Sequence, residues 1–132
     1  MAKILLIEDD EVMLSIIKGI LLDAGHAVIE AIDAPSGFAA ALAQSPDLIL
    51  SDFIMPGVLD GPVENFFEQL CSHSKTKNIP IVIISGLPQV TIQSNVPKHL
   101  WPRILTKPLD YHRLVGVIQD ALKQANSPPK TN

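Results

Sequence analysis

One cysteine, Cys71, is too few for an internal disulfide, so no disulfide framework stabilises this chain and a reducing compartment suits it. Positive charge is also scarce. Ten Lys and Arg stand against 14 Asp and Glu, for a formal net charge of -4, and no basic stripe is present. A nucleic-acid surface needs clustered Lys and Arg, so direct nucleic-acid binding is not expected. No apolar stretch approaches the roughly 18 to 20 residues that cross a bilayer. The opening "MAKILLIEDD" has one Lys and a short apolar run before three acids, which is no signal peptide. The expectation is a soluble cytoplasmic domain with no membrane contact. No Gly- or Ser/Thr-rich phosphate loop follows any apolar segment, which disfavours a flavin or nucleotide binder. Internal repeats and low-complexity segments are absent as well.

What is present is an alternation. At 132 residues, 47% hydrophobic and 18% charged, the chain has the size and composition of one globular domain. "KILLI", "AVIEA", "DLILS", "IPIVIIS" and "RILT" are short apolar runs of the kind that form strands covered on both faces. Between them the period changes to that of helices. "DEVMLSIIKGILLDAG" has Asp10 as N-cap and Gly25 as its stop, and "DAPSGFAAALAQ" has Asp33 as N-cap with Pro35 in the first turn. Gly37 should weaken that second helix by up to about 1 kcal/mol relative to Ala. "PVENFFEQLCSH" starts on Pro62, and "LDYHRLVGVIQDALKQA" is capped by Asp110. Pro88, Pro97 and Pro102 confine any helix after the fourth strand to roughly Gln89 to Asn95. "NSPPKTN" reads as a frayed tail or the start of a linker.

Five strands alternating with five helices define a doubly wound α/β domain with a parallel sheet. In such sheets the functional site lies at the carboxyl ends of the strands, where strand order reverses. Those ends carry Glu8, Asp9 and Asp10, then Asp52, Ser85 and Lys107. Three carboxylates at one edge repel one another unless a cation sits among them, and a small set of hard oxygen ligands suits Mg²⁺. Lys107 is a point charge for a phosphate oxygen, Ser85 can donate to another, and Asp52 can act as nucleophile to form an acyl phosphate. That is the task assigned to Asp52, the carboxylate that ends "LILSD".

Glu8-Asp9, Asp52 followed by Met55-Pro56 and Asp60-Gly61, Ser85 at the end of an apolar strand, and Thr106-Lys107-Pro108 together resemble the receiver domain of two-component response regulators. The resemblance covers about residues 3 to 125. It implies a flavodoxin-like (βα)5 fold with strand order 2-1-3-4-5, residues 1–125 as receiver domain and 126–132 as tail or linker. It also implies Mg²⁺ held by Glu8, Asp9, Asp52 and the backbone carbonyl of Ile54. Asp52 would take its phosphoryl group from a phosphohistidine on a sensor histidine kinase or a histidine phosphotransfer protein. Lys107 and Ser85 would grip it, and the pull on Ser85 would rearrange the face of helix four, strand five and helix five. The recipient of that signal would be a downstream protein or a covalently linked output domain. Such a domain is no enzyme in the ordinary sense, although it assists its own phosphorylation and dephosphorylation.

The pattern departs from the family in particular places. Three residues, Gly57-Val58-Leu59, separate Met-Pro from Asp-Gly where two are usual. Ile104 stands where a switch aromatic is common, and Leu109 where DNA-binding members often carry Phe. The positions two beyond Asp52 and Ser85 are the apolar Ile54 and Leu87, which points to slow self-dephosphorylation. An Mg²⁺-dependent phosphatase of the haloacid-dehalogenase type would need Asp-x-Asp after strand one, and "IEDDEV" lacks it. A degenerate receiver that only docks partners remains the alternative. Asp10 is expected to be a helix cap, Phe38, Phe66 and Phe67 core, and Cys71 a half-buried helix residue. His26, His73, His99 and His112 show no ligand spacing, and Trp101 is expected to be structural.

Overall fold

The computed structural model describes residues 2–53, 63–94 and 96–125, with side chains left out at 63–65. Its strands are β1 (Lys3–Ile7), β2 (Ala27–Ala31), β3 (Leu48–Asp52), β4 (Ile81–Ser85) and β5 (Ile104–Thr106). They form one parallel sheet, as the alternation predicts, in the order β2-β1-β3-β4-β5 that the family resemblance implies. The helices are α1 (Glu11–Asp23), α2 (Ala34–Gln44), α3 (Val63–Ser72), α4 (Gln89–Gln93) and α5 (Tyr111–Ala125), with a 3₁₀ helix at Lys98–Arg103.

Successive side chains of a strand point to opposite sides, and β3, β4 and all but the first residue of β1 are buried on both. Ile4, Leu6, Leu48, Leu50, Val82, Ile84 and Leu105 pack with Ile17 and Leu21 of α1 and Leu114 and Ile118 of α5. Leu5, Ile7, Ile49, Ile81, Ile83 and Ile104 face the other way, onto α2, α3 and α4. Phe66 and Phe67 belong to this second core, and Phe38 packs partly buried against it. With helices filling both faces, only the strand ends are left for polar chemistry.

Local chemistry sets the helix boundaries. Asp10 accepts from the backbone N–H groups of Val12 and Met13 at 2.9 and 3.0 Å, and Asp33 accepts from Ser36 at 2.8 Å. Asp110 accepts from Arg113 at 3.0 Å. Gly25 follows α1 at φ +90, a left-handed conformation that costs glycine least. The Pro62 start of α3 lies outside the described residues.

The boundaries differ from expectation at three strands. Asp47 is not the first residue of β3; its Oδ2 accepts from Lys3 N at 2.8 Å, and the strand runs one residue further to include Asp52. β4 starts at Ile81 because Ile79 closes a turn on Thr76, and β5 starts at Ile104, after Arg103. The 3₁₀ helix is the element that the prolines hid. A short 3₁₀ turn needs few backbone donors, so it accommodates Pro102 while burying Leu100. Trp101 joins it to α4 by donating from Nε1 to the Gln93 carbonyl at 3.1 Å, a structural role.

Gly37 has a reason that helix propensity alone does not reveal. A Cβ there would lie 2.5 Å from Cδ1 and 3.0 Å from Cγ1 of the fully buried Ile7, so α2 can approach β1 only without a side chain. Gly37→Ala is therefore expected to destabilise the fold by about 1–3 kcal/mol in urea unfolding, although Ala is the better helix former. Ile7→Val, which removes Cδ1, should recover part of that loss in the double variant. Strict additivity of the two single losses would contradict the contact.

Candidate functional site: an acidic cluster at the strand ends

The order of the sheet reverses between β1 and β3, since the chain leaves β1 for β2 on one side and returns on the other. Ile7 pairs with Ser51, so the next residue of each strand, Glu8 and Asp52, arrives at the same edge. Glu8 stays on the sheet by donating its N–H to Ala31 O at 3.0 Å. Each of Glu8, Asp9 and Asp52 offers a carboxylate oxygen within 4.8 Å of the others. Glu8 is 2% exposed and Asp52 8%, whereas Asp9 is open to solvent.

Across the sheet, β5 is tied to β4 by the Ser85–Thr106 pairing and by Lys107 N donating to Ser85 O at 2.8 Å. That register brings Lys107 Nζ to 3.7 Å from Asp52 Oδ2. Phe53 N donates to the other Asp52 oxygen at 2.7 Å, a backbone contact with no signal in the sequence. The buried Ser85 hydroxyl accepts from Leu87 N at 3.1 Å. Glu8, Asp9, Asp10, Asp52, Ser85, Gly86, Leu87 and Lys107 line one open cavity of about 560 Å³. All the strand-end residues singled out in the sequence thus meet around one space. Ile54, whose carbonyl was expected to contribute, and the loop from Met55 to Asp60 lie outside the described residues.

Three carboxylates face one ammonium here, and the pKa of Glu8 records the strain. Burial, and next the charge of Asp52, push Glu8 up to about 7, against the opposing pull of the Asp10 N–H and Lys107. A buried acid cluster with one lysine can hold a cation, and it can present an oxygen nucleophile to an electrophile whose charge the lysine offsets. Ile104 is buried in the core beside Ile83, Ile92 and Leu100, so the position of the usual switch aromatic is a packed aliphatic.

Helices on both faces of a 2-1-3-4-5 sheet, with acids and a lysine gathered at the switch point, define a two-component receiver. The chain matches the model of the response regulator receiver domain over residues 4–119, and it belongs to that family. Protein PilH of Pseudomonas aeruginosa is 30% identical over 125 residues, which cover 92% of this chain and 98% of PilH. The DNA-binding dual master transcriptional regulator RpaA of Synechocystis is 28% identical over 130 residues, covering 98% of this chain and 53% of RpaA. The chain therefore spans nearly all of one relative and about half of the other. Among solved structures, the receiver domain of a sensor histidine kinase from Pseudomonas aeruginosa superposes with a TM-score of 0.79. It is 21% identical, with 92% of this chain and 98% of that one covered, and it carries a magnesium ion in its active-site cleft. At that identity the likeness speaks for the fold. Receiver domains as a class bind Mg²⁺ at an acidic cluster of this kind and act with kinases and output partners. Among the described residues no helix is long and apolar enough to cross a membrane.

Because the folded chain holds a proton on Glu8 that the unfolded chain releases from pH 4.5, this group favours folding at low pH. That contribution is lost as pH rises through about 7. His26, held below its usual pKa by burial, works in the opposite sense near neutrality, so the difference between variants is the diagnostic quantity. Without divalent cations, Glu8→Gln should melt higher than wild type at pH 8 and lose much of that advantage by pH 5. Parallel melting curves across that range would contradict the buried, protonated Glu8.

Proposed function

We propose that this chain is a phosphoacceptor that receives a phosphoryl group on Asp52 from the phosphohistidine of a sensor histidine kinase or histidine phosphotransfer protein. The observation that carries this reading is the position of Asp52, set between the Glu8 and Asp9 carboxylates on one side and the Lys107 ammonium on the other. A carboxylate oxygen of Asp52 attacks phosphorus as the phosphorus–nitrogen bond to the donor imidazole breaks, and the electron pair leaves on that imidazole. Glu8, Asp9 and Asp52, with the Ile54 carbonyl, would hold Mg²⁺. When bound, it supplies positive charge against the transferring oxygens.

Lys107 then offsets charge on the incoming group, and Ser85 reorients its hydroxyl to donate to it, giving up its bond from Leu87 N. That exchange links the phosphoryl group to the start of α4. Leu87 lines the cavity and carries no polar group to place an attacking water, which supports a long-lived phosphoryl group. Residues 1–125 form the receiver domain in this reading, with 126–132 as tail or linker start. Support comes from the family match to residue 119 and from α5, which runs to Ala125. The chain catalyses no turnover of an outside substrate; it assists only its own phosphorylation and dephosphorylation. We further propose a cytoplasmic site of action, a downstream protein or linked output domain as recipient, and no nucleic-acid contact by this stretch. The last is supported by its net charge of -4.

Incubation with acetyl phosphate and Mg²⁺ should add one phosphoryl group by intact mass, and Asp52→Asn should add none. Lys107→Gln should slow the reaction roughly a hundredfold, the cost of removing one well-placed charge donor. The adduct should persist for minutes or longer; decay within seconds would contradict the role given to Leu87. Absence of any adduct on the wild-type chain would instead favour a receiver that serves only as a docking module.

A further inference from the structure

A second cavity, of about 270 Å³, lies at the other end of the sheet, where β4 begins at Ile81 and Arg103 leads into β5. Its polar wall comes from four separate places. Cys71 lies in the last turn of α3, Lys77 and Asn78 precede β4, His99 and Arg103 belong to the 3₁₀ helix, and Gln124 lies in the last turn of α5. Among the described residues no Asp or Glu lines it, although acids outnumber bases in the chain by 14 to 10. Arg103 is half-buried, and its Nη2 donates to Gln124 Oε1 at 2.7 Å, a neutral acceptor. Among the described residues the ion pairs are Lys18–Glu30 and Lys107–Asp52, so neither Lys77 nor Arg103 has a carboxylate partner. Burial without a counter-charge lowers the pKa of the Arg103 guanidinium. On the same wall, Cys71 Sγ lies 3.7 Å from His99 Nε2.

We propose that this cavity binds a phosphate-type dianion borne by a small molecule. Lys77 and Arg103 supply two fixed positive charges, and a phosphate monoester carries roughly -1.5 to -2 near neutral pH. The guanidinium fork suits two phosphate oxygens, and the Asn78 amide and the His99 imidazole can donate to the rest. A metal ion fits less well. Cys71 and His99 provide two soft ligands, and the two fixed cations repel any third positive charge. The competing account is that Lys77 and Arg103 merely offset the negative ends of α3 and α5. It predicts stability without binding.

The test is a ¹⁵N NMR titration of the full chain with inorganic phosphate and, separately, with glycerol 3-phosphate. It is run in buffer stripped of divalent cations and matched for ionic strength with chloride. Saturable shifts should centre on the amides of Lys77, Asn78 and Arg103. Alkylation of Cys71, the chain's single thiol, should slow at saturation. Lys77→Gln and Arg103→Gln should each weaken binding about tenfold or more, as expected for losing a charge-assisted hydrogen bond. Lys77 is exposed, so its variant leaves the fold unchanged and keeps the test valid if Arg103→Gln is unstable. Tighter binding of the monoester identifies an organic phosphate as the ligand class, and equal binding identifies free phosphate. Shifts that never saturate, or that centre on Ser85 and Lys107, would overturn the proposal. So would an Arg103→Gln variant that only melts lower and binds unchanged.

Discussion

Mutual repulsion among Glu8, Asp9 and Asp52 is the constraint on which the rest of this structure depends. A parallel sheet covered on both faces has nowhere but its edges for polar groups, and the β1–β3 register sends the ends of two neighbouring strands to one point. The result is a pair of buried carboxylates, with a third in solvent, facing a single lysine. No arrangement chosen for stability alone would bury two acids side by side. The proton retained on Glu8 to about pH 7 is the response of the fold to that cost. A divalent cation, or a phosphoryl group balanced by one, relieves the same strain in another way.

The two faces of the sheet serve this edge differently. Leu114, Ile118 and Ala121 anchor α5, and the β4–β5 ladder holds Lys107 in place. On the opposite face, Ile104, Ile92 and Leu100 lock α4 and the 3₁₀ helix onto the sheet. Ser85 sits between the cluster and α4, through its hydroxyl contact with Leu87 N. Ile104 packs there as an aliphatic and α4 has five residues, so the switch proposed for this region would work by mechanics other than those of a swinging aromatic ring.

Much of this was legible in the sequence, and the physical reasons are specific. Strands that are buried on both faces appear as unbroken apolar runs, so β1, β3 and β4 were plain, and the helix caps at Asp10, Asp33 and Asp110 act within three residues of themselves. Polar residues at or just after the ends of such strands stand out against the apolar background, as Glu8, Asp9, Asp52, Ser85 and Lys107 do in this sequence. Features that depend on distant contacts were hidden. The need for glycine at Gly37 comes from Ile7, thirty positions away. Pro102 looked like a stop signal, and only the burial of Leu100 and the Trp101–Gln93 bond explain the turn that contains it. The cationic cavity is assembled from four segments that share no sequence pattern.

Beryllofluoride, a mimic of a phosphoryl group bound to a carboxylate, offers the most direct measurement, followed by ¹⁹F NMR. Bound fluorine signals are expected on the wild-type chain only when Mg²⁺ is present, with none on Asp52→Asn. Bound signals that do not require Mg²⁺, or no bound signal at saturating Mg²⁺, would contradict the claim that these strand ends form a metal-assisted phosphoryl site.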